Sequence, residues 1–209
     1  MISKKQASKL VDIMCEMYPE AHCELVHSSV FELTIAVLLS AQATDKGVNK
    51  VTKHLFEKYK KPADYLAVPS AELEEDLRAI GLYKTKSKNI RKLCELLLAD
   101  YDGEIPGNYD DLIRLPGVGR KTANVVLSVW FKVPRIAVDT HVERVSKRLR
   151  FVRQRDSVLE VEKRLMYLLP EDKWSRAHHA MIFFGRYHCR AKRPKCEDCP
   201  LDSMCGYKA

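Results

Sequence analysis

The chain has 209 residues, of which 46% are hydrophobic and 31% charged, as in a folded globular protein and unlike a disordered tail. Its formal net charge of +8 favours a polyanionic partner, nucleic acid before an acidic membrane surface. The apolar runs are too short to span a bilayer, and the N-terminus lacks the apolar core of a signal peptide. We therefore expect a cytoplasmic protein with no membrane partner.

The first third of the chain has the hydrophobic periodicity of helices. Apolar residues recur at helical spacing from Ala7 to Tyr18, and Pro19 ends the pattern. Residues 31–43 are apolar on nearly every side, which predicts a helix buried among other helices. A basic amphipathic helix is predicted over residues 46–59.

The middle of the chain continues in the same way. A helix beginning near Ser70 is predicted to end with Gly81 as its C′ residue. The next predicted helix has an apolar face from Ile90 to Tyr101. The N-terminal half of that helix is rich in basic residues: Lys84, Lys86, Lys88, Arg91 and Lys92.

The last third adds three more predicted helices. One covers residues 139–149 and is basic, and a second begins at Ser157 with the capping-box pattern Ser-x-x-Glu. A third begins near Asp172 and runs toward a group of cysteines. Strand alternation is nowhere sustained, although residues 125–131 are rich in β-branched side chains. The sequence therefore predicts an all-α fold.

The most informative segment is Leu-Pro-Gly-Val-Gly-Arg-Lys-Thr-Ala at residues 115–123. Gly117 and Gly119 flank Val118, a spacing that permits positive φ and leaves no side chain over the backbone amides. A helix continues from Thr122, so the unpaired N–H groups at its start face the same space. The segment predicts an anion site made of backbone.

Two charged residues accompany this anion site. Lys121 lies within the first turn of the helix, and Asp139 follows after an apolar run. An amine and a carboxylate beside a phosphate site indicate chemistry on a nucleic-acid backbone or sugar. A Gly-x-Gly turn alone is a weak indication, however, and a helical lysine is usually a solvated surface charge.

Four of the seven cysteines occupy one short C-terminal segment: Cys189, Cys196, Cys199 and Cys205. A reducing compartment disfavours disulfides, whereas coordination of one metal centre would let so short a segment fold. Zinc and a [4Fe–4S] cluster both accept four cysteines, and the spacing does not separate them. Cys15, Cys23 and Cys94 are scattered on apolar faces and are predicted core residues.

Basic residues also surround the first of these cysteines. No acidic residue interrupts the stretch, which suits contact with DNA phosphates, although a solvated basic surface has the same composition. The predicted contacts are Arg186, Arg190, Lys192 and Arg193.

Taken together, these motifs resemble the endonuclease III family, bifunctional DNA glycosylases of the helix-hairpin-helix superfamily. The resemblance covers the whole chain and includes Leu-Ser-Ala-Gln-x-Thr-Asp at residues 39–45, Val-Asp-Thr-His-Val at residues 138–142, residues 115–123 and the cysteine spacing. It implies a [4Fe–4S] cluster in the loop 189–205. The implied partner is double-stranded DNA with damaged pyrimidines or abasic sites, bound by a monomer at the bacterial nucleoid.

The resemblance also implies two helical domains with a DNA cleft between them. Residues 22–132 would form a helical barrel that contains the helix-hairpin-helix. Residues 1–21 would join residues 133–209 in a second domain that holds the cluster.

Residue roles follow from the same resemblance. Lys121 would attack C1′ of an extruded nucleotide, and Asp139 would handle protons at the lysine or sugar. Gln42 would fill the gap in the duplex, and Leu82 would wedge against the opposite strand. Phosphate contacts would come from His141, from Thr122 and from the backbone of Gly117, Val118 and Gly119.

Two alternatives remain open at this point. A monofunctional adenine glycosylase shares the hairpin, the aspartate and the cluster, but that group lacks a lysine at the position of Lys121 and usually carries a further C-terminal domain. A non-enzymatic helix-hairpin-helix module that binds DNA explains the charge and the glycines. It does not explain Lys121, Asp139 and Gln42 together.

Overall fold

The computed structural model describes residues 1–207, and every regular element in that range is a helix. The predicted all-α fold is confirmed. The α-helices are α1 (Lys4–Met17), α2 (Val30–Leu39), α3 (Asp45–Lys58), α4 (Pro62–Ala67), α5 (Ser70–Asp76), α6 (Tyr83–Asp100), α7 (Tyr109–Leu112), α8 (Arg120–Val129), α9 (Thr140–Arg148), α10 (Val158–Leu168) and α11 (Trp174–Phe183). Within residues 1–207, none of these helices is both long and apolar enough to cross a membrane.

The described chain forms two compact units. One combines Met1–Cys23 with the chain from Val133 onward, and the other is Glu24–Lys132. The resemblance implies nearly the same boundaries, after residues 21 and 132. Which unit performs which part of a reaction stays a prediction.

The unit that contains both chain ends is built on α1, α9, α10 and α11. Helix α1 packs against α10 and α11, and α9 packs against the same two helices. Their apolar faces share one core that includes Leu10, Val145, Leu165 and Met181. Capping boxes begin α1 at Ser3 and α10 at Ser157, the latter as predicted.

Helix α2 lies at the centre of the other unit. Eight of its ten residues are buried, and it contacts α3, α6 and α8. Because other helices surround α2, each of its faces is buried, and an apolar surface on all sides is expected. Ser29 caps the start of α2 by accepting a hydrogen bond from the amide of Glu32.

Two helix ends differ from the sequence-based expectations. Helix α2 ends at Leu39 and not at residue 43, and Gln42 beyond it adopts a left-handed backbone with φ of +56°. Helix α5 ends at Asp76 with Leu77 as its C-cap, so the prediction of Gly81 as its C′ residue is wrong. The left-handed residue of that connection is Leu82, with φ of +61°. A non-glycine residue in this region carries a steric cost of about 1–2 kcal/mol.

The basic residues of α6 are not all at its surface. Lys86 is only 4% exposed, whereas Lys84, Lys88 and Lys92 are exposed. Arg91 is half-buried, and its Nη1 donates hydrogen bonds to the carbonyl oxygens of Tyr65 at 2.8 Å and Val68 at 2.7 Å. These carbonyls belong to the C-terminal end of α4, where intrahelical donors are lacking. Arg91 therefore caps α4 from a neighbouring helix.

We expect Arg91→Met to lower the free energy of unfolding by about 1–3 kcal/mol, because two part-buried carbonyls lose a charged donor. Urea denaturation followed by circular dichroism measures this loss. Lys92→Met is the matched control, since Lys92 is the exposed neighbour on the same helix. Equal stability of the two variants would contradict the capping role.

Candidate nucleic-acid interface

The hairpin turn, residues 113–119, leads directly into α8. Gly119 is the N-cap of α8 and has no side chain to offer to the first amides of the helix. The helix start therefore presents backbone N–H groups and a positive dipole end to an anion. Lys121, the second residue of α8, is exposed, whereas Thr122 is buried. A phosphate contact from Thr122 would thus come from its backbone amide.

The two glycines of the turn have different roles. Gly117 has φ of +82°, and a Cβ atom there would lie 2.7 Å from Cδ1 of Leu38 and 3.0 Å from Cβ of Asn89. Gly119 has φ of −93°, and a Cβ atom there would meet nothing within 4 Å. The expectation of positive φ at Gly119 is therefore wrong. Glycine is required at position 117 because the backbone is left-handed and a side chain has no room there. At position 119 the lack of a side chain leaves the start of α8 uncovered.

Val118 stabilises the turn. Its side chain is 5% exposed, and its amide donates to the carbonyl oxygen of Leu115 at 3.0 Å. This bond uses the N–H group that the sequence-based interpretation gave to a phosphate. The amides available to an anion are therefore better sought at Gly119 and in the first turn of α8.

The same unit brings Gln42 and the connection before α6 close together. A Cβ atom on Gly81 would lie 4.0 Å from the carbonyl oxygen of Gln42. Gln42 is exposed, and Leu82 is 56% exposed despite its apolar side chain. An exposed leucine and an exposed glutamine thus project from adjacent left-handed backbone positions. This arrangement favours a contact role for Leu82 over an ordinary core role.

Lys86 was not predicted as a site residue, but its side chain contacts the segment that carries Gln42. Its Nζ donates hydrogen bonds to the carbonyl oxygens of Leu39 at 3.0 Å and Ala41 at 2.7 Å. Burial lowers the pKa of this amine. Lys86 lies four residues before Ile90 and seven before Leu93, so its helical spacing places it on the buried face of α6. That spacing was the signal in the sequence.

Asp139 is the N-cap of α9, in the other unit. Its Oδ1 accepts hydrogen bonds from the amides of His141 at 2.9 Å and Val142 at 2.8 Å. Both bonds use the same carboxylate oxygen. Asp139 therefore caps α9, and this role is compatible with a chemical one.

His141 follows Asp139 and is half-buried. Burial lowers its pKa, the carboxylate of Asp139 opposes that shift, and the guanidinium of Arg144 adds to it. Nη2 of Arg144 lies 3.2 Å from Nδ1 of His141 and also donates to the carbonyl oxygen of Gly185 at 2.8 Å. A neutral imidazole at pH 7 would contact a phosphate as a hydrogen-bond donor and not as a cation.

The four C-terminal cysteines line one cavity, together with Leu149, Phe184 and other residues of the same unit. Burial raises the pKa values of Cys199 and Cys205, and the neighbouring cysteine sulfurs raise them further. Cys94 is buried and lies outside this group, whereas Cys15 and Cys23 are half-buried. The predicted separation into four clustered and three other cysteines agrees with these positions.

Arg148 connects α9 to the cysteine segment and was missed as a functional residue by sequence reasoning. Its guanidinium donates to Sγ of Cys189 at 3.3 Å and to the carbonyl oxygen of Arg190 at 2.8 Å. It also lies 3.9 Å from the ring centroid of Tyr207. Hydrogen bonds to a ligand sulfur stabilise thiolate character at metal centres. The loop that follows Cys189 carries exposed basic residues, which include Arg190, Lys192 and Arg193.

The donor set fits a polynuclear cluster. Among the described residues, no three His, Cys, Asp or Glu side chains are placed to hold one metal ion. The four thiols nevertheless share a cavity. The two observations are compatible, because a [4Fe–4S] cluster binds each of its four cysteines through a separate iron and spreads the sulfur atoms apart.

Comparison with known proteins decides the family. The sequence profile of the HhH-GPD superfamily of base excision DNA repair proteins matches residues 35–171. The endonuclease III of Bacillus subtilis (strain 168) is 60% identical over 205 residues, which are 98% of this chain and 94% of the relative. The chain belongs to the endonuclease III family. Membership confirms the expected class of enzyme, a DNA glycosylase and AP lyase of base excision repair.

Two solved structures of endonuclease III resemble the chain throughout. One is a trapped covalent intermediate with DNA, an estranged-adenine complex, with a TM-score of 0.97 and 63% identity over 99% of this chain and 97% of that one. The other is a non-covalent complex with DNA, with a TM-score of 0.97 and 62% identity over 99% of this chain and 96% of that one. The helical fold of the endonuclease III family is therefore present along the described chain.

The two glycines of the turn should respond differently to alanine. Gly117→Ala forces a left-handed alanine against Leu38, so we expect at least about 2 kcal/mol of lost stability. Gly119→Ala should change stability by no more than about 1 kcal/mol but weaken binding to a duplex with an abasic analogue, because its methyl group covers the start of α8. Thermal unfolding and fluorescence anisotropy measure the two effects. Equal losses of stability would refute the distinction.

Proposed function

We propose that this protein removes oxidised or ring-damaged pyrimidines from duplex DNA and cuts the strand 3′ to the resulting abasic site by β-elimination. The observation that carries the proposal is the exposed Lys121 at the start of α8, next to an N-cap without a side chain. An amine in this place can approach a sugar whose phosphate is held by the same helix start. One segment then supplies both binding and chemistry.

DNA is the proposed partner for two reasons. The relatives solved as covalent and non-covalent complexes with DNA support it, as does the net charge of +8. The amides of Gly119 and the first turn of α8 would hold a phosphate on the damaged strand. The exposed basic loop at Arg190, Lys192 and Arg193, with Arg186 before it, would add phosphate contacts that carry no sequence information.

The proposed reaction begins with extrusion of the damaged nucleotide, since C1′ is not accessible within the stack. The neutral amine of Lys121 attacks C1′, and the N–C1′ bond forms as the glycosidic bond breaks and the base leaves with its electron pair. Ring opening gives a Schiff base between Lys121 and C1′. Loss of a proton from C2′ then expels the 3′ phosphate, and hydrolysis of the imine releases the enzyme.

Asp139 is proposed to manage charge and protons in these steps. Its carboxylate would stabilise the positive charge that develops on the sugar as the glycosidic bond breaks. Oδ1 is held by the amides of His141 and Val142, which fixes the orientation of the carboxyl group. Oδ2 would exchange the proton with the lysine or the sugar.

Gln42 and Leu82 are proposed to occupy the duplex while the nucleotide is extruded. Their exposure and their adjacent positions support this assignment. Gln42 would take the space of the missing nucleotide and offer amide hydrogen bonds to the opposite base. Leu82 would wedge against the opposite strand, where an exposed apolar side chain gains by leaving water.

Cys189, Cys196, Cys199 and Cys205 are proposed to hold a [4Fe–4S] cluster. Such a cluster provides four strong bonds that organise a short segment and, when bound, can also exchange one electron. This chain's own contribution is the cavity and the hydrogen bond from Arg148 to Sγ of Cys189. The ordered segment would then keep its basic loop positioned for DNA. The proposed form is a cytoplasmic monomer.

We expect Lys121→Ala to abolish borohydride trapping and cutting of abasic DNA, because no other group replaces the Schiff base. Binding to a duplex with an uncleavable abasic analogue should remain within about tenfold of wild type. Lys163→Ala, at an exposed position of α10, controls for the loss of one charge.

Trapping of Lys121→Ala at wild-type yield would refute the nucleophile assignment. Wild-type protein that releases base but does not cut abasic DNA would favour a monofunctional glycosylase. Binding without base release or cutting would favour the non-enzymatic module.

Purified protein should be brown and contain about four irons per chain. Cys199→Ala should lose most of the iron, whereas Cys23→Ala, outside the group of four, should retain it. Iron analysis and visible absorption spectroscopy measure both variants. Colourless protein with stoichiometric zinc would contradict the assignment.

A further inference from the structure

Lys86 is a buried cation whose side chain contacts the segment that carries Gln42. Its Nζ donates to the carbonyl oxygens of Leu39 and Ala41 at 3.0 and 2.7 Å, just after the end of α2. These carbonyls belong to the helix end, where intrahelical donors are lacking. Gln42, the next residue, has φ of +56°. The amine therefore holds the backbone on the N-terminal side of a strained residue.

The backbone of Lys86 contacts the second exposed element. Its amide donates to the carbonyl oxygen of Leu82 at 3.0 Å, which forms the first turn of α6. Leu82 is the N-cap of α6, has φ of +61° and gives no side-chain hydrogen bond to the helix. One residue thus holds both segments whose exposed side chains are proposed to enter the duplex.

The hydrogen bonds of Lys86 satisfy two carbonyls and also restrain the backbone that carries them. Burying its ammonium group costs free energy unless both acceptors stay in place, so the burial of Lys86 fixes the backbone of Leu39 and Ala41. Left-handed non-glycine residues such as Gln42 and Leu82 persist only where the surroundings hold them, and such residues concentrate at functional sites. A cation with two backbone acceptors supplies this restraint.

We propose that Lys86 is a positioning residue for lesion recognition. Its ammonium group sets residues 39–42 against the turn that carries Leu82, so that Gln42 and Leu82 enter the duplex as a preformed pair. The inference rests on the proposed function and on the roles assigned there to these two side chains. Preorganisation improves binding by removing the cost of ordering both segments during nucleotide extrusion.

The test compares affinities for two duplexes, one intact and one with a tetrahydrofuran abasic analogue. Lys86→Met keeps the length of the side chain and removes its donors. We expect it to lower the preference for the abasic duplex by about tenfold, because two charge-assisted hydrogen bonds are lost. Lys92→Met, an exposed lysine on the same helix, should weaken both affinities slightly and leave the preference unchanged.

A double-mutant cycle separates positioning from general destabilisation. If Lys86 acts through Gln42, then Gln42→Ala should reduce the preference strongly in the wild-type background and little in the Lys86→Met background. Additive effects would overturn the inference, as would a wild-type preference in Lys86→Met. An unchanged preference in Gln42→Ala would also overturn the inference, because Gln42 would then make no contribution that Lys86 could position. If Lys86→Met does not fold, Lys86→Gln, which keeps a neutral donor, enters the same cycle with the same criteria.

The cycle also distinguishes this inference from the proposed function. Wild-type protein that neither cuts abasic DNA nor prefers the abasic analogue contradicts the proposed function. Wild-type cutting and preference, together with an unchanged preference in Lys86→Met, contradict only the role of Lys86.

Discussion

The close contact of Gly117 with α2 and α6 is the constraint on which the proposed site depends. Leu38 and Asn89 leave no room for a methyl group on Gly117, and the backbone there is left-handed. The turn can therefore sit directly on the buried helix of its unit. This contact determines where α8 begins, and so where Lys121 and the first amides of α8 are displayed. A turn displaced by one side chain would move the proposed phosphate site and the proposed nucleophile together.

Cations that hold backbone carbonyls recur throughout the structure. Arg91 caps α4, Lys86 caps the segment after α2, and Arg148 holds the carbonyl of Arg190. In each case a helix contributes the cation, and a helix end or the segment after it contributes the acceptors. Long, charged side chains suit this task, because they reach across helix interfaces and form charge-assisted hydrogen bonds. The positive charge of the chain is thus partly structural, and its surplus at exposed positions is available for DNA.

The exposed parts of the proposed site are short connections held by rigid helices. Gln42 and Leu82 occupy left-handed positions, and Gly119 leaves the start of α8 uncovered. Lys86 bonds the carbonyl before Gln42 through its amine and the carbonyl of Leu82 through its backbone amide. In the other unit, Oδ1 of the half-buried Asp139 is held by two amides of α9. A binding surface made of such connections presents backbone donors and a few side chains without ordering them anew for each encounter.

The sequence by itself determined the helices, the phosphate-binding segment and the family resemblance. Local patterns suffice for these features, because periodic apolar residues, capping boxes and glycine spacing act within a few residues of chain. Only the tertiary structure decided that Lys86 is buried, that Gly117 and not Gly119 has a left-handed backbone, and that the amide of Val118 is used inside its turn. These properties depend on which helices lie against a segment. A lysine with the same neighbours in sequence is a surface charge or a buried donor according to the helix packed beside it.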